Sequence, residues 1–143
     1  PGATAVITHR DPVAVTVSMA TMVAYTARMH RSRVPVERIG AYWADRLARM
    51  LDSLVRDRDV LGPESSMDVR FTDFMADDLA AARQVYELAG EPFTDDAAAA
   101  LASYLGGHQR DRHGRVDYRA EDLGLDEDEL RERFAAYRTR FGV

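Results

Sequence analysis

Apolar and polar positions alternate in blocks, and the spacing within each block predicts its element. Ala5–Thr8 is a short apolar run of the kind that makes a buried strand, and the polar corner His9-Arg10-Asp11-Pro12 follows it. A helical pattern then runs from about Val13 to Met29. Val13, Val17, Ala20, Ala24 and Ala27 form one stripe, and Val15, Met19, Met22 and Val23 carry apolar character nearly all round, as in a buried helix. Asp11 can cap this helix, and Pro12 suits a first turn that needs no N–H donor. The helix ends in a basic cluster of Arg28, His30, Arg31 and Arg33.

Pro35 opens a second long helix, roughly Val36 to Arg58, in which Ile39, Trp43, Leu47, Leu51 and Leu54 make a core-facing stripe with Trp43 as an anchor. Gly62-Pro63 marks a loop. Met67–Phe71 reads as a second strand with Val69 and Phe71 on one face. It leads through Thr72-Asp73-Phe74-Met75 into a helix from about Asp77 to Ala89, with Gly90 as the residue past its end. Thr94 caps a further helix reaching Leu105, and His108–Arg119 is a polar loop carrying four arginines. Ala120–Leu123 suggests a single turn. A last helix runs from Asp126 to about Phe141, with Leu130, Phe134, Tyr137 and Phe141 as its stripe. Two strands, each followed by helices, predict a predominantly helical α/β protein with a parallel sheet. Its remaining strands are expected upstream. The chain begins Pro-Gly-Ala and runs almost at once into a strand that reads as central. The expectation is therefore a C-terminal part of a longer protein.

Composition narrows this picture without changing it. The length of 143 residues and an apolar content of 46% suit one domain with a real core. There is no cysteine, so neither a disulfide framework nor a thiolate metal site is available. No stretch approaches a membrane span or has the order of a signal peptide, which makes a cytoplasmic protein the default expectation. A net charge of −5 argues against a general nucleic-acid binder. All 19 basic residues are arginine. Any anion held here is therefore held by planar guanidinium forks.

The strand–corner–helix at Ala3–Met22 is the first candidate site. In open α/β folds such a corner lies at the carboxyl edge of the sheet, where ligands bind, and a helix N-terminus there favours an anion. Arg10 stands at the corner and Ser18 eight residues on, about two helical turns away. The pair reads as a phosphate grip. The four histidines show no metal-binding spacing, and no phosphate-cradling glycine loop or nucleophile elbow is present. No metal and no catalytic residue is assigned.

His9-Arg10-Asp11-Pro12, then Val13-Ala14-Val15 and Ser18, resembles the 3′-phosphate-binding segment of sulfotransferases that use 3′-phosphoadenosine 5′-phosphosulfate (PAPS). Asp68–Phe74, followed by Ala76-Asp77 and the helix to Gly90-Glu91-Pro92-Phe93, is similar to the family's strand, "R-Y-E-D-L" corner, helix and "G-x-P-F" turn. Phe71 stands where the family usually has a tyrosine near the adenine. Arg112-His113-Gly114 resembles the family's "R-K-G" loop over the 3′-phosphate, with histidine replacing lysine, and Arg110 and Arg115 lie beside it as reserves.

The resemblance implies the C-terminal part of a P-loop-like, three-layer parallel-sheet fold. It also implies sulfuryl transfer from PAPS to a hydroxyl or amine of a small-molecule, lipid or carbohydrate acceptor, with adenosine 3′,5′-bisphosphate as product. Arg10, Ser18, Phe71, Arg112, His113 and Gly114 would be cofactor-binding residues. The loop for the 5′-phosphosulfate and the catalytic base would precede this chain, so His9 is not the base by position. A homo-oligomer is compatible with this reading. The alternatives are a non-catalytic helical interaction domain and a kinase-like nucleotide-binding relative.

Overall fold

The computed structural model describes residues 3–108 and 118–143. Two strands and seven α-helices occur among them: β1 (Ala5–His9), α1 (Pro12–Arg28), α2 (Val36–Asp57), β2 (Ser66–Arg70), α3 (Phe71–Ala76), α4 (Asp78–Leu88), α5 (Asp95–Gly107), α6 (Glu127–Arg133) and α7 (Ala135–Phe141). Short 3₁₀ turns lie at Arg58–Val60 and Glu121–Leu123. The described residues thus form a largely helical α/β chain, and they divide into two compact units.

One unit takes its described residues from Pro1–His9 and Val60–Val116. β1 and β2 pair in parallel, with Ala5 opposite Ser66, Ile7 opposite Asp68 and His9 opposite Arg70. Side chains alternate across a sheet. Val6, Thr8, Met67 and Val69 therefore share one face, and Ile7, His9, Ser66 and Asp68 share the other.

Residues flanking β2 set how the chain leaves the sheet. Arg70 is still extended, and the chain turns directly into α3 at Phe71. The strand therefore ends one residue before the expected boundary, and the Thr72–Met75 corner is helical. The alternation misleads here because Phe71 lines the same cavity as Val69, and burial pattern reports facing rather than backbone angles. Asp77, extended at φ −151°, separates α3 from α4, and its carboxylate accepts the Ala80 N–H at 2.8 Å. At the far end of α4, Gly90 adopts φ 71° and Glu91 N–H reaches back to the Tyr86 carbonyl at 3.0 Å, a glycine-dependent helix stop. Thr94 then caps α5 through the Ala97 N–H.

The other unit comprises Arg10–Asp59 and the described part of Asp117–Val143. The inner face of α1, Val13, Val17, Ala20 and Ala24, is buried. Val13 packs with Ala44 and Ala48 of α2 and with Leu130 and Phe134, while Val17, Ala20 and Ala24 pack with Ala120 and Leu123. Trp43 is half-buried against this second cluster, as an anchor should be. The expected last helix is two short ones that meet at Phe134, whose φ and ψ of −94° and 8° leave the helical region. Its stripe is nevertheless continuous, since Leu130, Phe134 and Tyr137 are all buried. Arg133 to Asp45 (2.7 Å) and Arg140 to Asp59 (2.6 Å) link this region to α2 and the turn after it.

The tightest approach is at Gly40. A Cβ built there would sit 2.5 Å from the backbone oxygen of Leu123, with no flexible side chain to yield. Gly40→Ala should therefore destabilise the chain by about 1–3 kcal/mol. Gly106→Ala in α5 meets nothing within 4 Å and should be neutral or stabilising by up to about 1 kcal/mol. Urea denaturation of the two variants beside the parent checks both, and equal stability of all three would contradict the packing described.

Candidate functional site

β1 ends at His9, and Arg10 begins the turn into α1. His9 is fully buried and its Nε2 lies 2.7 Å from Asp68 Oδ1, a carboxylate whose side chain is 38% exposed. The alternation of β1 puts Ile7 and His9 on one face, and the parallel register puts Asp68 opposite Ile7 on that same face. An imidazole so placed needs a polar partner, and the neighbouring strand provides it. The pairing is invisible in the linear sequence because it joins residues 59 apart.

Arg10 is exposed. Asp11 caps α1 by accepting the Val13 N–H at 3.1 Å, and Pro12, buried at the first helical position, brings no donor. These two residues refine the expectation for this corner. The helix start is already served by a carboxylate, so a second anion has little to gain from the backbone donors there. An anion at this corner depends on side chains, namely the Arg10 guanidinium and hydroxyls along α1. Ser18 is the seventh residue of α1, half-buried, and lies about 9 Å along the axis from Pro12. Thr16 is excluded from the same role: it is fully buried and donates to the Pro12 carbonyl at 2.7 Å.

Phe71, in the sheet-containing unit, borders an apolar cavity of about 340 Å3. Val6, Thr8 and Val69 of the sheet, Phe74 of α3, and Ala82 and Val85 of α4 complete much of the lining. The cavity is large enough for a flat heterocycle, and Phe71 offers it a ring face but no hydrogen bond. Arg112, His113 and Gly114 lie outside the described residues, as do the reserves Arg110 and Arg115. No cluster of metal-ligating side chains occurs among the described residues. No described helix is long and apolar enough to cross a membrane.

The described residues thus offer a parallel strand pair in one unit and, in the other, an arginine just before a long helix. Comparison with known proteins supplies the class. The model of the sulfotransferase family matches residues 1–95, two thirds of the sequence, and the chain belongs to that family. Among solved structures it is similar to sulfotransferase STF9 from Mycobacterium avium, with a TM-score of 0.80 and 26% identity. The match covers 94% of this chain and 35% of that one, so the chain spans about a third of that relative's length. No curated protein sequence matches it.

Asp11→Ala, which removes the α1 cap, should cost about 0.5–2 kcal/mol. Asp11→Asn, which keeps an acceptor oxygen, should cost less than half of that. Denaturant midpoints of the two variants check the order, and a reversed order would show that the carboxylate has another role.

Proposed function

We propose that this chain holds the 3′-phosphate end of PAPS in a sulfotransferase that acts on a hydroxyl or amine of a small-molecule, lipid or carbohydrate acceptor. Arg10 and Ser18 are the grip. The observation that carries the reading is the Arg10 corner, within the stretch that matches the family model, with Ser18 two turns along α1. The donor set suits the ligand. A guanidinium and a hydroxyl both donate to a phosphate, and the Asp11 carboxylate accepts from the helix backbone. Phe71 would meet the adenine across its apolar cavity, and Arg112, His113 and Gly114 would close over the phosphate.

When bound, PAPS supplies the sulfuryl group that is transferred. The residues of this chain act at a distance from that group. Arg10 and Ser18 would hold the 3′-phosphate through their guanidinium and hydroxyl donors and so orient the donor. Phe71 would exclude water from the base. Binding energy spent so far from the sulfur pre-organises the in-line geometry of transfer. A cytoplasmic setting belongs to the same proposal.

Calorimetric titration of the full-length protein with adenosine 3′,5′-bisphosphate tests the reading. Arg10→Ala should weaken binding about tenfold to a hundredfold, the worth of a charge-assisted hydrogen-bond pair, and Ser18→Ala about two- to tenfold. Adenosine 5′-monophosphate, which lacks the 3′-phosphate, should bind the parent and both variants equally. If both variants retain parental affinity for the bisphosphate, the assignment is wrong.

A further inference from the structure

A groove between the C-terminal part of α1 and the first half of α2 takes no part in the donor site. It is an open depression of about 430 Å3, within the size range of small-molecule sites. Val23 of α1 and Ile39 and Trp43 of α2 give it apolar surface. The Tyr42 ring stands edge-on to the Trp43 indole, with centroids 5.6 Å apart and planes at 87°. Both rings line the groove and offer it aromatic surface.

Arg31 and Arg38 line the same groove, and both are exposed. Among the described residues neither guanidinium meets a carboxylate, and none of the lining residues is acidic. Residues 28–38 carry four arginines against one glutamate, in a chain of net charge −5. That glutamate, Glu37, has its stem against Gly124. Positive charge is thus gathered around an apolar cleft in an otherwise acidic chain. A neutral apolar ligand would leave both arginines unmatched, and an inorganic anion would leave the aromatic walls wet.

We propose that this groove binds an aromatic anion, a flat ring system bearing one sulfate, sulfonate or carboxylate. The ring lies against Trp43, Tyr42, Ile39 and Val23, and the oxyanion is shared by Arg31 and Arg38, whose planar forks suit its geometry. The site is separate from Arg10 and Ser18, and it stands or falls independently of the donor assignment.

Trp43 is the only tryptophan in the sequence, so its single indole N–H resonance in a ¹H–¹⁵N spectrum reports on this groove. The full chain is titrated with 2-naphthyl sulfate, 2-naphthol and inorganic sulfate at 0.15 M NaCl. The naphthyl sulfate should shift the indole resonance saturably, with a Kd at least tenfold below those of the neutral naphthol and of sulfate alone. The double variant Arg31→Gln, Arg38→Gln should lose that tenfold advantage while keeping the ligand-free indole position of the parent. Should the double variant not fold, Arg31→Gln alone, outside any helix, should lose at least threefold. The proposal is overturned if naphthol or sulfate binds as tightly, if the folded variant binds naphthyl sulfate unchanged, or if no saturable shift occurs.

Discussion

Close approach of α1 and α2 through small side chains is the constraint on which the α1–α2 unit depends. Ala20 and Ala24 on one helix and Ala44 and Ala48 on the other are buried, and Gly40 lets the turn at Glu121–Leu123 reach the α2 backbone. Larger residues at these places would push the helices apart. Leu123, Leu130 and Phe134 would then lose the contacts that dock the C-terminal segment. The groove edged by Arg31 and Arg38 is lined by residues of the same two helices and the connection between them.

At the other end of α1 the backbone is held by short-range bonds. Asp11 and Thr16 both tie the first turn to itself, one through a backbone N–H and the other through the Pro12 carbonyl. A corner secured in this way does not need an incoming anion to hold it. Pre-organisation of that kind lowers the ordering cost of binding. In the sheet-containing unit the same economy appears at Asp77, which ends one helix and caps the next.

Elements governed by neighbouring residues were legible in the sequence. The caps at Asp11 and Thr94, the stop at Gly90, the extents of α1 and α2 and the parallel pairing type all follow from local pattern. What escaped depends on residues far apart. The burial of His9 against Asp68 needs the strand register, and the helical start at Phe71 imitates strand alternation because the cavity wall continues past β2. The break at Phe134 leaves the apolar stripe intact and so leaves no trace in the periodicity. Arg31 was visible only as one member of a basic cluster, since its groove partners Arg38 and Tyr42 lie on α2.

Gly40 also has a bearing on descent. The atom facing it is a main-chain oxygen, which no mutation elsewhere can make smaller. Space rather than chemistry disfavours drift at this position. In diverged copies that have exchanged the arginine corner or emptied the aromatic cleft, a glycine one helical turn before a buried alanine on α2 should persist. It would serve as a marker of common ancestry set by packing alone.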